Sequence, residues 1–152
     1  MDFTEQLQFK EVPSTVVAYE SHLPVNNSIS FELAALNKFM ETIIPERDSK
    51  IWSQFYTDDA IWLYTGHEVI QGRKSLDGFF KKHVDELPIF EKLDVRNDRI
   101  DSSGMYTIEY ASHIAIIRNG DFSGVFTGKD LVIWKREPDG SLKIFRHIGT
   151  YD

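Results

Sequence analysis

The chain contains no cysteine, has fewer basic than acidic residues and has no long apolar run. Without cysteine it can form no disulfide, thiol nucleophile or thiolate metal site, which fits a reducing compartment. The formal net charge of -7 argues against nucleic acid or an anionic membrane as a partner, because phosphate binding needs a basic surface. No run approaches membrane-spanning length. The first residues, Met1 to Glu5, lack the basic and apolar regions of a secretory signal, so we expect a cytoplasmic protein.

The chain has enough apolar residues for one core. The chain has 152 residues, of which 41% are hydrophobic. This composition suits one domain with a core, and the chain is too short for two domains. The N-terminal segment shows no sustained periodicity and contains Pro13 and Pro24. This pattern predicts an N-terminal arm over residues 1–28 and a single domain over residues 29–152.

Helical periodicity is confined to the first half of the domain. Apolar residues recur at helical spacing from Ser30 until Pro45. Asp48 can cap a second, shorter helix that includes Tyr56, and a third helix is predicted from Arg73 to Asp85. The sequence therefore predicts three N-terminal helices.

The remainder reads as strands. Ala60 to Tyr64 is a first strand, and everything after Ile89 alternates in the manner of an antiparallel meander. Asn119-Gly120 and Pro138-Asp139-Gly140 mark two of its hairpin turns. Helices followed by a meander predict an α+β domain, in which three helices pack on the concave face of a curved, mostly antiparallel sheet. The part of that face that the helices do not fill would be a pocket.

Several motifs accompany this order of elements. They are Trp52 to Ala60, Gln71-Gly72-Arg73, and the Gly-Lys, Trp-Lys-Arg and Asp-Gly-Ser-Leu-Lys-Ile segments of the last hairpin. Together they resemble the nuclear transport factor 2-like superfamily, in particular its ketosteroid isomerase-like and SnoaL-like branches. The resemblance covers Phe31 to Asp152 and implies a cystatin-like cone with an internal pocket. It does not imply one reaction, since this fold hosts many functions.

The residues that the resemblance aligns with steroid isomerase chemistry differ from those of that family. The position of the general-base aspartate is Tyr64, the oxyanion-stabilising tyrosine falls near Met40, and the protonated aspartate falls near Val132. Asp130 lies two residues before Val132, on the same face of a strand. A steroid isomerase mechanism is therefore not expected, and what the resemblance implies is the location of a pocket.

Strand parity predicts which side chains line that pocket. Side chains alternate between the faces of a strand, so one inward residue fixes its neighbours two positions away. Starting from Tyr64, Val132 and the last strand, the inward set is aromatic with few ionisable groups. It consists of Trp62, Tyr64, Asp130, Val132, Trp134, Phe145, His147, Gly149 and Tyr151, and the resemblance adds Met40 on the first helix.

The strand from Met105 to Arg118 is ambiguous. One face carries Thr107, Glu109, Ala111 and His113, and the other carries Tyr106, Ile108, Tyr110, Ser112 and Ile114. We favour an inward Glu109, because Thr-Ile-Glu-Tyr-Ala is similar to a segment of the SnoaL-like family that carries a glutamate there. A bulge or a slip of one residue would reverse this assignment.

Four ionisable residues are candidates for catalysis: His147, Glu109, His113 and Asp130. A carboxylate beside an imidazole fixes its tautomer and raises its basicity, so Glu109 and His147 could form a general acid–base pair. The alternative is a structural polar cluster or an exposed outer face. The same residue types resemble a two-histidine, one-carboxylate metal site, but no spacing is diagnostic of a metal. Asp130 is equally consistent with a buried acid or a surface pair with Lys129.

Two functions from different classes follow. The first is a small enzyme of the isomerase, dehydratase, cyclase or hydrolase type that acts on a small apolar or aromatic metabolite without a cofactor, through His147 and Glu109. The second is a non-catalytic ligand-binding or oligomeric assembly domain. We favour the first. A homodimer is also predicted, because Leu142, Ile144 and Ile148 are expected on an uncovered outer sheet face.

Overall fold

A computed structural model of the protein describes residues 27–86 and 89–152. Most of the N-terminal arm predicted for residues 1–28 lies outside the described residues, and its last two positions begin a helix. The elements in chain order are α1 (Asn27–Ile43), α2 (Ser49–Gln54), β1 (Tyr56–Tyr64), β2 (Ile70–Gln71), α3 (Arg73–Glu86), β3 (Ile89–Ser103), β4 (Tyr106–Asn119), β5 (Phe122–Arg136) and β6 (Leu142–Tyr151).

The three helices begin close to the predicted positions. The side chain of Asp48 caps α2 by accepting hydrogen bonds from the backbone N–H groups of Lys50 and Ile51. The prediction that Tyr56 belongs to this helix is wrong, because α2 ends at Gln54 and Tyr56 opens β1. This difference matters below, since it directs the Tyr56 side chain toward β6.

The strands form one open, mixed sheet in the order β2-β1-β6-β5-β4-β3. The pair β1 and β6 is parallel, and the other neighbours are antiparallel. The helices pack on this sheet around a core that includes Leu33, Leu76, Trp134 and Ile144, each at most 2% exposed. The predicted α+β arrangement is therefore confirmed. No helix in the described ranges is both long enough and apolar enough to cross a bilayer.

A bulge in β6 changes which residues face inward. Trp134 pairs with Ile144 while Ile133 pairs with Arg146, so Phe145 is an extra residue in the ladder. Leu142 and Ile144 are consequently buried in the core rather than exposed on the outer face. Phe145 points the other way and packs against Tyr106, with the Arg146 guanidinium 3.6 Å from its ring centroid. Strict alternation assigned all three residues to the wrong face.

A candidate acid–base site

The helices and the sheet enclose a cavity of about 190 Å³. One wall is aromatic and comes from α2, β1 and α3, whereas the opposite wall is aliphatic and includes Leu93, Val95 and Val132. The aromatic wall consists of Trp52, Tyr56, Trp62, Tyr64, Phe79 and Phe80. Such a cavity favours an apolar or aromatic ligand, and the few polar groups inside it would fix the ligand's orientation.

Three polar side chains converge from β4, β5 and β6. Nδ1 of His113 is 2.5 Å from Oδ2 of Asp130, and Nε2 of His147 is 2.9 Å from Oδ1 of the same carboxylate. All three side chains are at most 16% exposed. One carboxylate is therefore shared by two histidines at the cavity wall.

The ionisation state of Asp130 fixes the direction of both hydrogen bonds. Burial by itself raises the pKa of Asp130, but the hydrogen bonds and charges of His113 and His147 outweigh it and hold the pKa well below its usual range. An ionised carboxylate only accepts hydrogen bonds, so each histidine donates from the nitrogen facing Asp130. In neutral His113 this leaves Nε2 as the proton acceptor, and in neutral His147 it leaves Nδ1.

The hydroxyl group of Tyr56 is hydrogen-bonded to the second ring nitrogen of His147, Nδ1. The hydroxyl oxygen lies 3.0 Å from Nδ1, and burial raises the pKa of Tyr56 far above neutrality, so the phenol keeps its proton. Neutral His147 accepts this hydrogen bond, and protonated His147 would donate it instead. Arg73 fixes the backbone of β1 at Tyr56, since its Nε and Nη2 donate to the carbonyl oxygen of Tyr56 at 3.0 and 2.7 Å. The Trp62 ring stacks on His147 with 5.2 Å between centroids.

Two glycines make room for this cluster. A Cβ on Gly128 would overlap the backbone carbonyl of Thr150 and lie 2.6 Å from Cε1 and Nε2 of His113. A Cβ on Gly149 would lie 3.0 Å from Oδ1 of Asp130. The His113 ring and the Asp130 carboxylate thus occupy space that any other residue at these positions would take.

Glu109 forms a separate polar cluster at another part of the cavity. It is 1% exposed, and its oxygens accept from Nδ2 of Asn37 at 2.5 Å and from Nε1 of Trp134 at 2.7 Å. Asn37 also donates to Oδ1 of Asn97. Burial raises the pKa of Glu109 against the opposing effect of these hydrogen bonds. The expected pair of Glu109 with His147 is wrong, since Asp130 and Tyr56 are the partners of that histidine.

A further group of aromatic and histidine rings lies near the ends of β1 and β6 and on α3. The hydroxyls of Tyr64 and Tyr151 are hydrogen-bonded to each other. The His83 ring centroid lies 3.6 Å from that of Phe79 and 5.6 Å from that of His67. Burial, followed by the charges of His67 and Lys82, lowers the pKa of His83 from its usual 6.5 to about 4. His83 is therefore neutral at physiological pH.

This lowered pKa predicts a loss of stability in mild acid. Between pH 6.5 and about 4 the unfolded chain binds a proton at His83 that the folded chain resists, so stability falls as the pH decreases. In His83→Gln this contribution should vanish, which reduces the fall by about 1 kcal/mol, less than the full shift implies because the ring is partly open to water. Urea unfolding at pH 7 and pH 4.5 measures the difference. An equal fall in both proteins would contradict the assignment.

The cavity lining contains most of the residues that the sequence analysis predicted to face a pocket. Met40, Trp62, Tyr64, Glu109, His113, Asp130, Val132, Trp134, His147 and Tyr151 line it, whereas Phe145 lies on the outer face. Sequence reasoning missed Tyr56 and Asn37. The sequence did contain a signal for Asn37. It is a single amide side chain between Leu33 and Met40 on the otherwise apolar face of the first helix. Among residues 27–86 and 89–152, no three histidine or carboxylate side chains are grouped in a way that could hold a metal ion.

Comparison with known proteins identifies the fold. No protein-family model matches the chain, and no curated protein matches it. Solved structures do match. A ketosteroid isomerase-like protein from Erwinia carotovora atroseptica is 17% identical, and the match covers 79% of this chain and 92% of that chain with a TM-score of 0.68.

Two further structures agree with it. A candidate scytalone dehydratase from Novosphingobium aromaticivorans is 14% identical over 83% of this chain and 86% of that chain, with a TM-score of 0.67. A nuclear transport factor 2-like superfamily protein from Salmonella enterica serovar Typhimurium is 14% identical over 82% of this chain and 92% of that chain, with a TM-score of 0.66. At these identities the likeness shows the fold and not the reaction. The chain has the nuclear transport factor 2-like fold.

Proposed function

We propose that the protein is a small acid–base enzyme of the isomerase or dehydratase type, which acts on a small aromatic or apolar ketone without an organic cofactor. The observation that carries the proposal is the Asp130 carboxylate shared by His113 and His147, with Tyr56 on the far nitrogen of His147, inside an aromatic cavity.

The charge of this cluster suits proton transfer. With Asp130 ionised, one proton added to the two imidazoles makes the cluster neutral overall, so one ring acts as the acid while the other acts as the base. Nε2 of neutral His113 takes a proton from the carbon next to a carbonyl group. Protonated His147, through the Tyr56 hydroxyl, delivers a proton to an oxygen of the substrate. Isomerisation is completed when His113 returns the first proton to another carbon and the proton on the oxygen goes back through Tyr56 to His147 as the carbonyl re-forms. Dehydration results when the protonated oxygen is a hydroxyl group that leaves as water while the C–H electron pair forms the new double bond.

The names of two structural neighbours point to the same reaction types. One is ketosteroid isomerase-like and the other is a candidate scytalone dehydratase. An isomerase and a dehydratase share the need for one group that removes a proton and one that delivers it. At 17% and 14% identity these names support the class of chemistry only together with the site described above.

Proton abstraction can be tested before the substrate is known. The protein is incubated in D₂O with a set of bicyclic and monocyclic aromatic ketones, and deuterium incorporation beside the carbonyl is followed by mass spectrometry. The wild type is expected to accelerate exchange for at least one ketone, and Asp130→Asn should reduce this acceleration because an amide cannot orient both imidazoles as acceptor.

The matched control is Asp101→Asn, whose carboxylate pairs with the partly exposed Arg99 on β3, outside the cavity. It should exchange deuterium like the wild type. If wild type and Asp130→Asn exchange at the same rate, the proposed reaction fails. Ligand binding without any exchange would favour the non-catalytic binding domain instead.

The exposed residues that support the predicted homodimer are not the same set that the sequence suggested. Leu142 and Ile144 are buried, but Leu63, Ile148 and Tyr110 are each 38% to 42% exposed. They lie in one register row across the outer sheet face, joined through Leu131. We propose that a second copy covers this row. Analytical ultracentrifugation at micromolar concentration should give a dimer that Ile148→Lys weakens, and a wild-type monomer would refute it.

A further inference from the structure

The polar cluster around Glu109 has no part in the proton transfer proposed above. Glu109 nevertheless lines the cavity together with Asn37 and Trp134, and it is a carboxyl group surrounded by apolar walls. Burying such a group is costly unless its hydrogen-bonding capacity is used. Among the residues that the structure describes, each oxygen accepts from one protein donor, whereas a carboxylate oxygen can accept two hydrogen bonds. Capacity for a ligand therefore remains.

The sheet register separates this cluster from the acid–base site. Glu109, Val132 and His147 lie directly opposite one another on β4, β5 and β6. Two strand spacings, about 10 Å between Cα atoms, lie between Glu109 and His147. The side chain between them, Val132, is apolar and 6% exposed. The cavity thus has two polar ends with an apolar floor between them.

We infer that Glu109 is an anchor for a hydroxyl group at the end of the ligand opposite to the reacting carbonyl. The inference rests on the proposed function only for the identity of the reacting end. A hydroxyl suits the site because it can donate to the Glu109 carboxylate, whose two oxygens both act as acceptors toward Asn37 and Trp134. The substrate class is therefore a flat aromatic molecule with oxygen functions at both ends.

The cavity volume sets the size of that molecule. An apolar cavity of about 150 Å³ accommodates benzene, and this cavity measures about 190 Å³. One ring or two fused rings match this space. The side chains of the aromatic wall provide ring faces against which such a molecule can pack.

Binding of naphthols tests the anchor without any turnover. Calorimetric titration compares 2-naphthol with 2,6-dihydroxynaphthalene, whose second hydroxyl lies at the far end, and with 2,3-dihydroxynaphthalene, whose second hydroxyl lies beside the first. We expect the 2,6-diol to bind about tenfold more tightly than 2-naphthol, the gain of one charge-assisted hydrogen bond. The 2,3-diol should show no comparable gain. Equal gains for both diols would overturn the anchor using wild-type protein alone.

The Glu109→Gln variant tests whether the tighter binding of the 2,6-diol depends on Glu109. In Glu109→Gln the advantage of the 2,6-diol should fall to about threefold or less, because the hydrogen bond is no longer charge-assisted. The ratio is measured within one protein, so a general loss of stability cancels. Glu41→Gln is the matched control, since Glu41 on α1 accepts from the backbone of Val95 and does not line the cavity. An unchanged ratio in Glu109→Gln would overturn the anchor. Absence of deuterium exchange would overturn the proposed reaction and leave these ratios as they are.

Discussion

Replacing His147 by glutamine is expected to lower the rate of proton exchange about 10²- to 10⁴-fold per folded molecule, the usual contribution of a general acid or base. Glutamine keeps the approximate size and can still contact Tyr56 and Asp130, which lie 3.0 and 2.9 Å from the two ring nitrogens. It cannot carry a proton from one partner to the other. The rate should therefore fall while the fold persists.

The measurement is deuterium exchange into the best ketone, normalised to the folded fraction from a thermal melt. His67→Gln is the control, because it removes a histidine that does not line the main cavity. A merely structural His147 would give the opposite pattern, a lower melting temperature with an unchanged rate.

Double variants show which carboxylate works with His147. Because Asp130 is hydrogen-bonded to His147, the combination of His147→Gln with Asp130→Asn should cost much less than the sum of the single losses. Glu109 is hydrogen-bonded to other side chains and interacts with His147 through charge without a hydrogen bond, so Glu109→Gln and His147→Gln should combine much closer to additively. Strong coupling between Glu109 and His147 would restore the pair that the sequence alone suggested.

Much of the fold could be predicted because its causes are local. Asp48 caps its helix through its own side chain, and helical and strand periods differ enough to separate the two halves of the chain. Phe145 and Tyr56 were misplaced for non-local reasons. The bulge at Phe145 depends on how two strands pair. The end of a six-residue helix depends on whether the next residues are more stable in the helix or in the sheet.

The sequence analysis named three residues of the candidate site, missed Tyr56, and predicted none of the contacts between them. Parity placed Asp130 and His147 on the inner face and the resemblance selected the face of His113, but neither states which strands are neighbours. One register was nevertheless available from the sequence. The tight turn after Asn119 pairs it with Phe122, and counting back along both strands brings Ala111 opposite Asp130 and His113 opposite Gly128. The neighbourhood of His113 and Asp130 was therefore readable, whereas the contact with His147 was not, because the bulge lies in the pairing of β5 with β6.

Gly128→Ala is expected to destabilise the protein by about 1–3 kcal/mol, the usual cost of overpacking. The added methyl group would overlap the Thr150 carbonyl, which the pairing of β5 with β6 holds in place, and would stand 2.6 Å from the His113 ring. The ring is the more mobile of the two, so it should move away from Asp130. Proton exchange should then fall as well, although no catalytic group has been replaced.

Urea unfolding and deuterium exchange measure the two effects, and Gly78→Ala provides the contrast. Gly78 lies within α3, and a Cβ there meets nothing within 4 Å. Alanine should therefore raise stability by about 0.5–1 kcal/mol, since glycine is costly inside a helix. If Gly128→Ala matched Gly78→Ala in stability and kept wild-type exchange, the His113 ring would not depend on the space above Gly128. A loss of exchange in Gly128→Ala larger than its unfolded fraction explains would instead show that the position of His113, and not only its presence, sets the rate.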